Sequence, residues 1–211
     1  MINNCKICTI IDNNPKQNAW DKPLYETENF FTVPSLGSLV EGWVLIFSKD
    51  HYLSLSQLSS ELIDELNTFR NDVKIKLRKE FGEITSFEHG PCNEKTVLGC
   101  GVDHFHLHLV PLKGLNLLRL SKDFDSSMSW NSISRIQDLK NINDENGYLY
   151  LELPNGQKFY TSGRTAGSQF FRKVIAHELK VSDKYDWKSN PMIKNIERTI
   201  KKIQKEVAIF D

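Results

Sequence analysis

Three histidines alternate with apolar residues in His104-Phe105-His106-Leu107-His108-Leu109-Val110. On an extended chain successive side chains point to opposite faces. The segment therefore predicts a strand over Val102 to Val110 with all three imidazoles on one face. Phe105, Leu107 and Leu109 lie on the other face and anchor the strand in a core. Neighbouring imidazoles would stand about 7 Å apart, from a rise of ~3.3 Å per residue. The chain has six histidines, and a solvated strand would not concentrate half of them in strict alternation. Two chemistries suit the pattern. Imidazole is a common ligand for zinc, and a neutral imidazole can attack phosphorus to form a covalent phosphoramidate that water then breaks.

The surrounding pattern supplies a fold for that strand. Asn29 to Val33 and Trp43 to Phe47 read as strands, joined by a loop carrying Gly37 and Gly42. Leu62, Leu66, Phe69, Val73, Leu77 and Phe81 recur at three- and four-residue steps, which predicts a long amphipathic helix. Ser59 or Ser60 caps its start and Gly82 ends it. Ile84 to Phe87 reads as a further strand, followed by a glycine-containing loop from Gly90 to Gly101. Past residue 112 the pattern is irregular with some helix until about residue 145. Tyr148 to Leu153 and Lys158 to Thr161 then flank Pro154-Asn155-Gly156, a hairpin signal. Helices follow over Ser168 to Leu179 and from about Pro191, the latter with Ile193, Ile196, Ile200, Ile203 and Val207 on one face. Mixed strands and helices with hairpins predict an α+β fold with an antiparallel sheet. We divide the chain into residues 1–112, holding the histidines, and a C-terminal α/β extension, 113–211, packed on them.

Composition removes several classes. With 27 basic and 27 acidic residues the formal net charge is zero, so bulk attraction to nucleic acid or membrane is absent. A hydrophobic fraction of 39% is that of a globular protein. The longest apolar run is too short to span a bilayer and the N-terminus lacks a secretory pattern. The expectation is a cytoplasmic protein, in which Cys5, Cys8, Cys92 and Cys100 stay reduced and open to metal.

The histidine segment closely resembles the signature of the histidine-triad (HIT) family. That resemblance implies an antiparallel sheet with a long helix. It also implies a nucleotidyl-enzyme intermediate on the middle histidine, matching His106, with His108 helping to bind phosphate and assist the leaving group. Trp43 to His51 is similar to the family's strand and Lys-x-His turn. Several family members and the related galactose-1-phosphate uridylyltransferases hold a structural zinc with a Cys-x-x-Cys pair and two histidines. The matching residues are Cys5, Cys8, His51 and His104, and a metal-bound His104 would orient its neighbour His106.

One departure concerns the phosphate. Where the family has Gly-Gln and then Ser or Thr, this chain has Gly99-Cys100-Gly101. The expected contacts there are Cys100 and the backbone at Gly101, with His89 as a nearby candidate. Gly163 to Gln169 opens a helix whose N–H groups suit an anion. Arg164, Ser168, Gln169 and Arg172 are further candidate donors. The stretch Gly147 to Pro154, with Gln169-Phe170-Phe171-Arg172 and Asp186-Trp187-Lys188, resembles the C-terminal part of CwfJ-type proteins, HIT relatives associated with RNA processing. RNA is thereby a candidate partner, with Lys194, Arg198, Lys201, Lys202 and Lys205 of the last helix a candidate basic face, and the HIT resemblance makes a second copy of the chain another. The leading expectation is a hydrolase or transferase for dinucleoside polyphosphates or nucleoside phosphoramidates. The alternative is a zinc-stabilised RNA- or nucleotide-binding module with little catalysis.

Overall fold

The computed structural model describes residues 5–12, 18–93, 98, 101–142 and 144–207. Its strands are β1 (Tyr25–Glu26), β2 (Phe30–Pro34), β3 (Val44–Ser48), β4 (Ile84–Gly90), β5 (His106–Pro111), β6 (Asn131–Ile133), β7 (Tyr148–Glu152) and β8 (Lys158–Ser162). They form one sheet in the order β1-β2-β3-β5-β4-β7-β8-β6, with every described pairing antiparallel. The helices are α1 (Lys6–Asp12), α2 (Ser60–Phe81), α3 (Leu117–Phe124), α4 (Phe170–Glu178) and α5 (Ile193–Val207). The fold is α+β. Residues on the two sides of position 112 share this sheet, because β4 pairs along its length with β7, Ser86 opposite Glu152 through Gly90 opposite Tyr148.

Helix α2 forms where its apolar period requires. The Ser59 hydroxyl accepts from the Leu62 N–H at 3.2 Å, and Gly82 closes the helix at φ 87°. Its buried residues Ile63, Leu66, Phe69, Val73 and Leu77 meet Val44, Ile46, Phe105, Leu107 and Leu109 in one core on one face of the sheet. Truncating a leucine such as Leu66 to alanine there costs about 2–5 kcal/mol. On the same helix Arg70 and Lys74 are buried and reach Glu152 of β7 at 2.6 and 2.8 Å. Burial acts to raise the Glu152 carboxyl, but the charges of Arg70 and Lys74 outweigh it and hold it down at about 2.

The other face carries a second core: Trp43, Phe87, Val110, Leu149 and Leu151 against α3 and α4 through Leu117, Leu120, Phe170, Phe171 and Val174. These helices cover the β4–β7 part of that face. The β2–β3–β5 part is left as the floor of a pocket.

Two sequence expectations change. The histidine strand starts at His106 and not at Val102, because the chain bends at His104 and the Phe105 N–H donates to the Tyr52 carbonyl instead of joining the sheet. Only His106 and His108 are therefore strand residues, and their ring centroids lie 5.1 Å apart, the rings leaning together. The irregular stretch after 112 contains α3 and the edge strand β6, whose partner is β8.

Candidate active site and metal centre

Strand register lays out the pocket floor in rows. Phe31 of β2 is opposite Phe47 of β3, which is opposite His106 of β5. These three rings stack in sequence, with centroids 5.6 and 5.5 Å apart. The next row is Val33, Leu45 and His108, and beyond it Phe87 stacks on His108 at 4.5 Å. The pocket over this floor has a volume of about 340 Å³. Its lining also includes Ile7, Trp20, Asp21, Leu36, Arg172 and Trp187.

The middle histidine is oriented by the bend that precedes its strand. His106 Nδ1 lies 2.8 Å from the carbonyl oxygen of His104. A carbonyl only accepts, so Nδ1 carries the hydrogen and the neutral ring has its lone pair on Nε2. His108 Nδ1 receives the indole N–H of Trp43 at 3.0 Å. Burial, with the charges of His106, Arg172 and His89, pushes His108 well below the ordinary histidine range.

His104 faces away from this pair. Its Nδ1 lies 3.4 Å from Cys5 Sγ and 3.6 Å from Cys8 Sγ, while Cys8 Sγ is 3.5 Å from His51 Nδ1. One ligand atom from each of Cys5, Cys8, His51 and His104 lies within 4.8 Å of the others, a grouping compatible with a metal ion. On its far side, His104 Nε2 is 2.8 Å from the Ser48 carbonyl oxygen. Nε2 therefore donates there and the Nδ1 lone pair faces the thiols. Burial pushes His104 down to about 4, against the Ser48 hydrogen bond that favours its charged form.

The C-terminal half completes the pocket through one buried guanidinium. Arg172 donates to the Gly37 carbonyl at 2.6 Å, to Ser35 Oγ at 2.9 Å and to the Leu36 carbonyl, and lies over the Trp43 ring at 4.6 Å. It thus pins the β2–β3 loop. The Gln169 side chain donates to Asp186 at 3.0 Å and accepts from the Trp187 N–H at 3.4 Å, setting the indole of Trp187 at the pocket wall. At Gly37 (φ 70°) a Cβ would come within 2.5 Å of the Trp187 Cβ, so this close approach needs glycine.

Several expected phosphate contacts lie elsewhere. Arg172 lines the pocket, but Arg164 belongs to a separate polar hollow with Asp144, Glu145, Asn146 and Ser162. Ser168 is half-buried in the turn before α4, which begins at Phe170 and not at Ser168. Gln169 is committed to the Asp186–Trp187 segment. His89 is a strand residue and not a loop residue. Its Nε2 accepts from the Phe171 N–H behind His108, away from the pocket wall, and burial with the charges of His106, Arg172 and Lys173 pushes it to about 3. Gly101 is exposed beside the Lys188 amine, and Cys100 lies outside the described residues. Of the basic residues on α5, Arg198 and Lys202 pair with Glu41 at 3.2 and 2.8 Å.

Residues 16–115 match the family model of the HIT domain. CWF19-like protein 1 of Homo sapiens is 25% identical over 187 residues, covering 83% of this chain and 33% of that protein. Zinc finger CCCH domain-containing protein 64 of Arabidopsis thaliana is 25% identical over 181 residues, 77% of this chain and 28% of that one. The chain spans about a third of the length of these relatives. Those alignments are longer than the HIT match, so the relationship to CWF19-like proteins takes in residues outside it. Among solved structures, a HIT family protein from Bacillus anthracis aligns over 60% of this chain and 99% of that one, at 21% identity and a TM-score of 0.43. No helix among the described residues is long and apolar enough to cross a membrane.

Proposed function

We propose, on the premise that residues 16–115 are a HIT domain, that this chain cleaves phosphate linkages of nucleotides through a nucleotidyl-histidine intermediate on His106. The observation that carries the reading is the 2.8 Å contact of His106 Nδ1 with the His104 carbonyl, at a residue on the pocket floor. It leaves the Nε2 lone pair as the nucleophile. Nε2 attacks the α-phosphorus and forms an N–P bond, while the bond from phosphorus to the leaving group breaks and the leaving group takes its electrons. Water then attacks the same phosphorus, the N–P electron pair returns to Nε2, and the proton that water loses goes to the departed leaving group or the solvent. The products are a nucleoside monophosphate, the protonated leaving group and neutral His106. The aromatic lining of Phe31, Phe47, Trp20 and Trp187 suits a stacked base, and Arg172 places a fixed positive charge at the wall.

The four-residue cluster fits zinc. Zn–S bonds of about 2.3 Å and Zn–N bonds of about 2.05 Å in a tetrahedron place sulfur and nitrogen about 3.6 Å apart, close to the Cys5–His104, Cys8–His51 and Cys8–His104 distances of 3.4, 3.5 and 3.6 Å. Bound there, zinc would act structurally, tying the N-terminal segment to the turn before β5. The residues themselves fix His104, whose carbonyl in turn orients His106.

Turnover of dinucleoside polyphosphates, nucleoside phosphoramidates and a capped RNA tests the reading, with wild type beside His106→Ala. Release of a nucleoside monophosphate by wild type, lowered on the order of 10⁴-fold in the variant, is the expected result. Binding of the same compounds without turnover would instead favour a nucleotide- or RNA-binding module.

A further inference from the structure

His106 and His108 are adjacent on one face, yet their hydrogen-bond partners are of opposite kinds. The partner of His106 Nδ1 is a carbonyl, which accepts. The partner of His108 Nδ1 is an indole N–H, which only donates. His108 must therefore present its Nδ1 lone pair to Trp43 and carry its hydrogen on Nε2. That Nε2 is buried and has no hydrogen-bond partner among the described residues, and its ring lines the pocket. A buried donor left in this way is costly unless a ligand meets it.

We propose that Trp43 is a positioning residue that locks His108 in the neutral Nε2–H tautomer, so that His108 meets a bound phosphate oxygen as a hydrogen-bond donor. The phosphate part rests on the function proposed above; the tautomer does not.

The indole is well fixed for this task. Trp43 is fully buried. Phe87 meets it edge-on at 5.9 Å and the Arg172 guanidinium lies over its ring at 4.6 Å. Turning the indole away would break these contacts and bury its own N–H without a partner. A proton added at His108 Nδ1 would point one N–H at another. The charged and titratable groups facing the ring, namely His106 on its own strand, His89 on β4 and Arg172 on α4, oppose a further positive charge. Neutral imidazole gives up its remaining hydrogen only to form an anion, so His108 holds the oxygen but does not protonate the leaving group. The two histidines then divide the work: a lone pair on His106 to attack, and an N–H on His108 to hold. Because Arg172 belongs to α4, the C-terminal half takes part in setting this division.

The test is nitrogen-15 NMR of the histidine rings in ligand-free, full-length protein. Wild-type His108 is expected to show a protonated-type Nε2 and an unprotonated-type Nδ1, unchanged from about pH 8 to about pH 5, across the range in which ordinary histidine titrates. In Trp43→Phe the Nδ1 and Nε2 signals should move toward a tautomer average and begin to titrate. Phe87→Leu, which loosens the same wall but keeps the indole donor, should retain the wild-type pattern. If Trp43→Phe fails to fold, the wild-type spectrum and Phe87→Leu still decide. A wild-type His108 with its hydrogen on Nδ1, or one that titrates normally, overturns the proposal. That result together with turnover through His106 would sink the tautomer lock and spare the hydrolase. The expected spectrum without turnover of any compound would do the reverse.

Discussion

The two ends of the histidine segment are built from different materials. At the His104 end four polar side chains converge, two thiols and two imidazoles, with their donor atoms within 4.8 Å. The grouping is compatible with a metal ion, which would couple the order of this corner to what the four side chains bind. At the His108 end the ring contacts Trp43 and Phe87, with Phe171 packed on Phe87, all three aromatic and fully buried, and Arg172 ties the C-terminal half to the β2–β3 loop. One end gathers side chains suited to coordinating a metal, and the other is held by packing and a buried cation. His106 lies between them and takes its orientation from the His104 carbonyl.

Substitutions that disable one end and leave the other intact test that contrast. The largest effect is expected for Cys8→Ala, because Cys8 Sγ touches both His51 and His104. Zinc affinity should fall more than about 100-fold, read by competition with a chromophoric chelator, while the Trp43–His108 contact persists. A variant that keeps one tightly bound zinc would show that the coordination assignment is wrong. Arg172→Leu should do the opposite. It leaves the Gly37 and Leu36 carbonyls without their donor and lowers stability by on the order of 3 kcal/mol in urea unfolding, with metal content unchanged. Equal loss of zinc in this variant would mean that the two ends are not separable. Trp187→Ala should weaken nucleotide binding about 10-fold through lost stacking, measured by calorimetry. No change would remove Trp187 from the base site.

The smallest effect at neutral pH is expected for His89→Gln. Folded His89 has its pKa near 3, against about 6.5 in an unfolded chain. Between these values the unfolded state holds the extra proton, so wild-type stability is full above about pH 6.5 and falls as pH drops toward 3. Removing the group should flatten that limb by up to one proton, about 1.4 kcal/mol per pH unit, while Glu88 acts oppositely. Burial raises Glu88 to about 7, against hydrogen bonds from Tyr148 and Leu55 that favour its charged form. Its contribution is therefore present below about 4.5 and lost as pH rises through 7. Unfolding curves for both proteins across this range isolate the His89 term, and identical slopes would contradict the burial argument.

The contrast also explains what could be read from the sequence. Period and spacing located α2 with its Ser59 cap, the β7–β8 hairpin and the alternation at His106 and His108, because these depend on neighbours in the chain. The Cys5, Cys8, His51 and His104 grouping followed from a family resemblance, and the structure brings those residues together. Long-range partners were not legible. Trp43 read as a core residue, and nothing local marks its N–H as the donor to a histidine 65 positions away. Arg70 and Lys74 stand three and four residues from Leu66, Val73 and Leu77, on the buried side of α2, and their long-range partner Glu152 at the end of β7 was not legible. Arg164, Ser168, Gln169 and Arg172 fell in one stretch of sequence, but the left-handed turn at Gln169 (φ 60°) sends them to different surroundings, and of the four Arg172 lines the pocket. Trp187 carried no local signal for its place, which Gly37 and Gln169 determine.

The most direct measurement of the central claim is the mass of the intact protein after mixing with a turned-over nucleotide and rapid denaturing quench, followed by peptide mapping. The account predicts a gain of one nucleotidyl group (a nucleoside monophosphate less water), base-stable and acid-labile as a phosphoramidate is, mapped to His106 and absent from His106→Ala. Turnover by wild type with no adduct on His106, or an adduct on another residue, would contradict it.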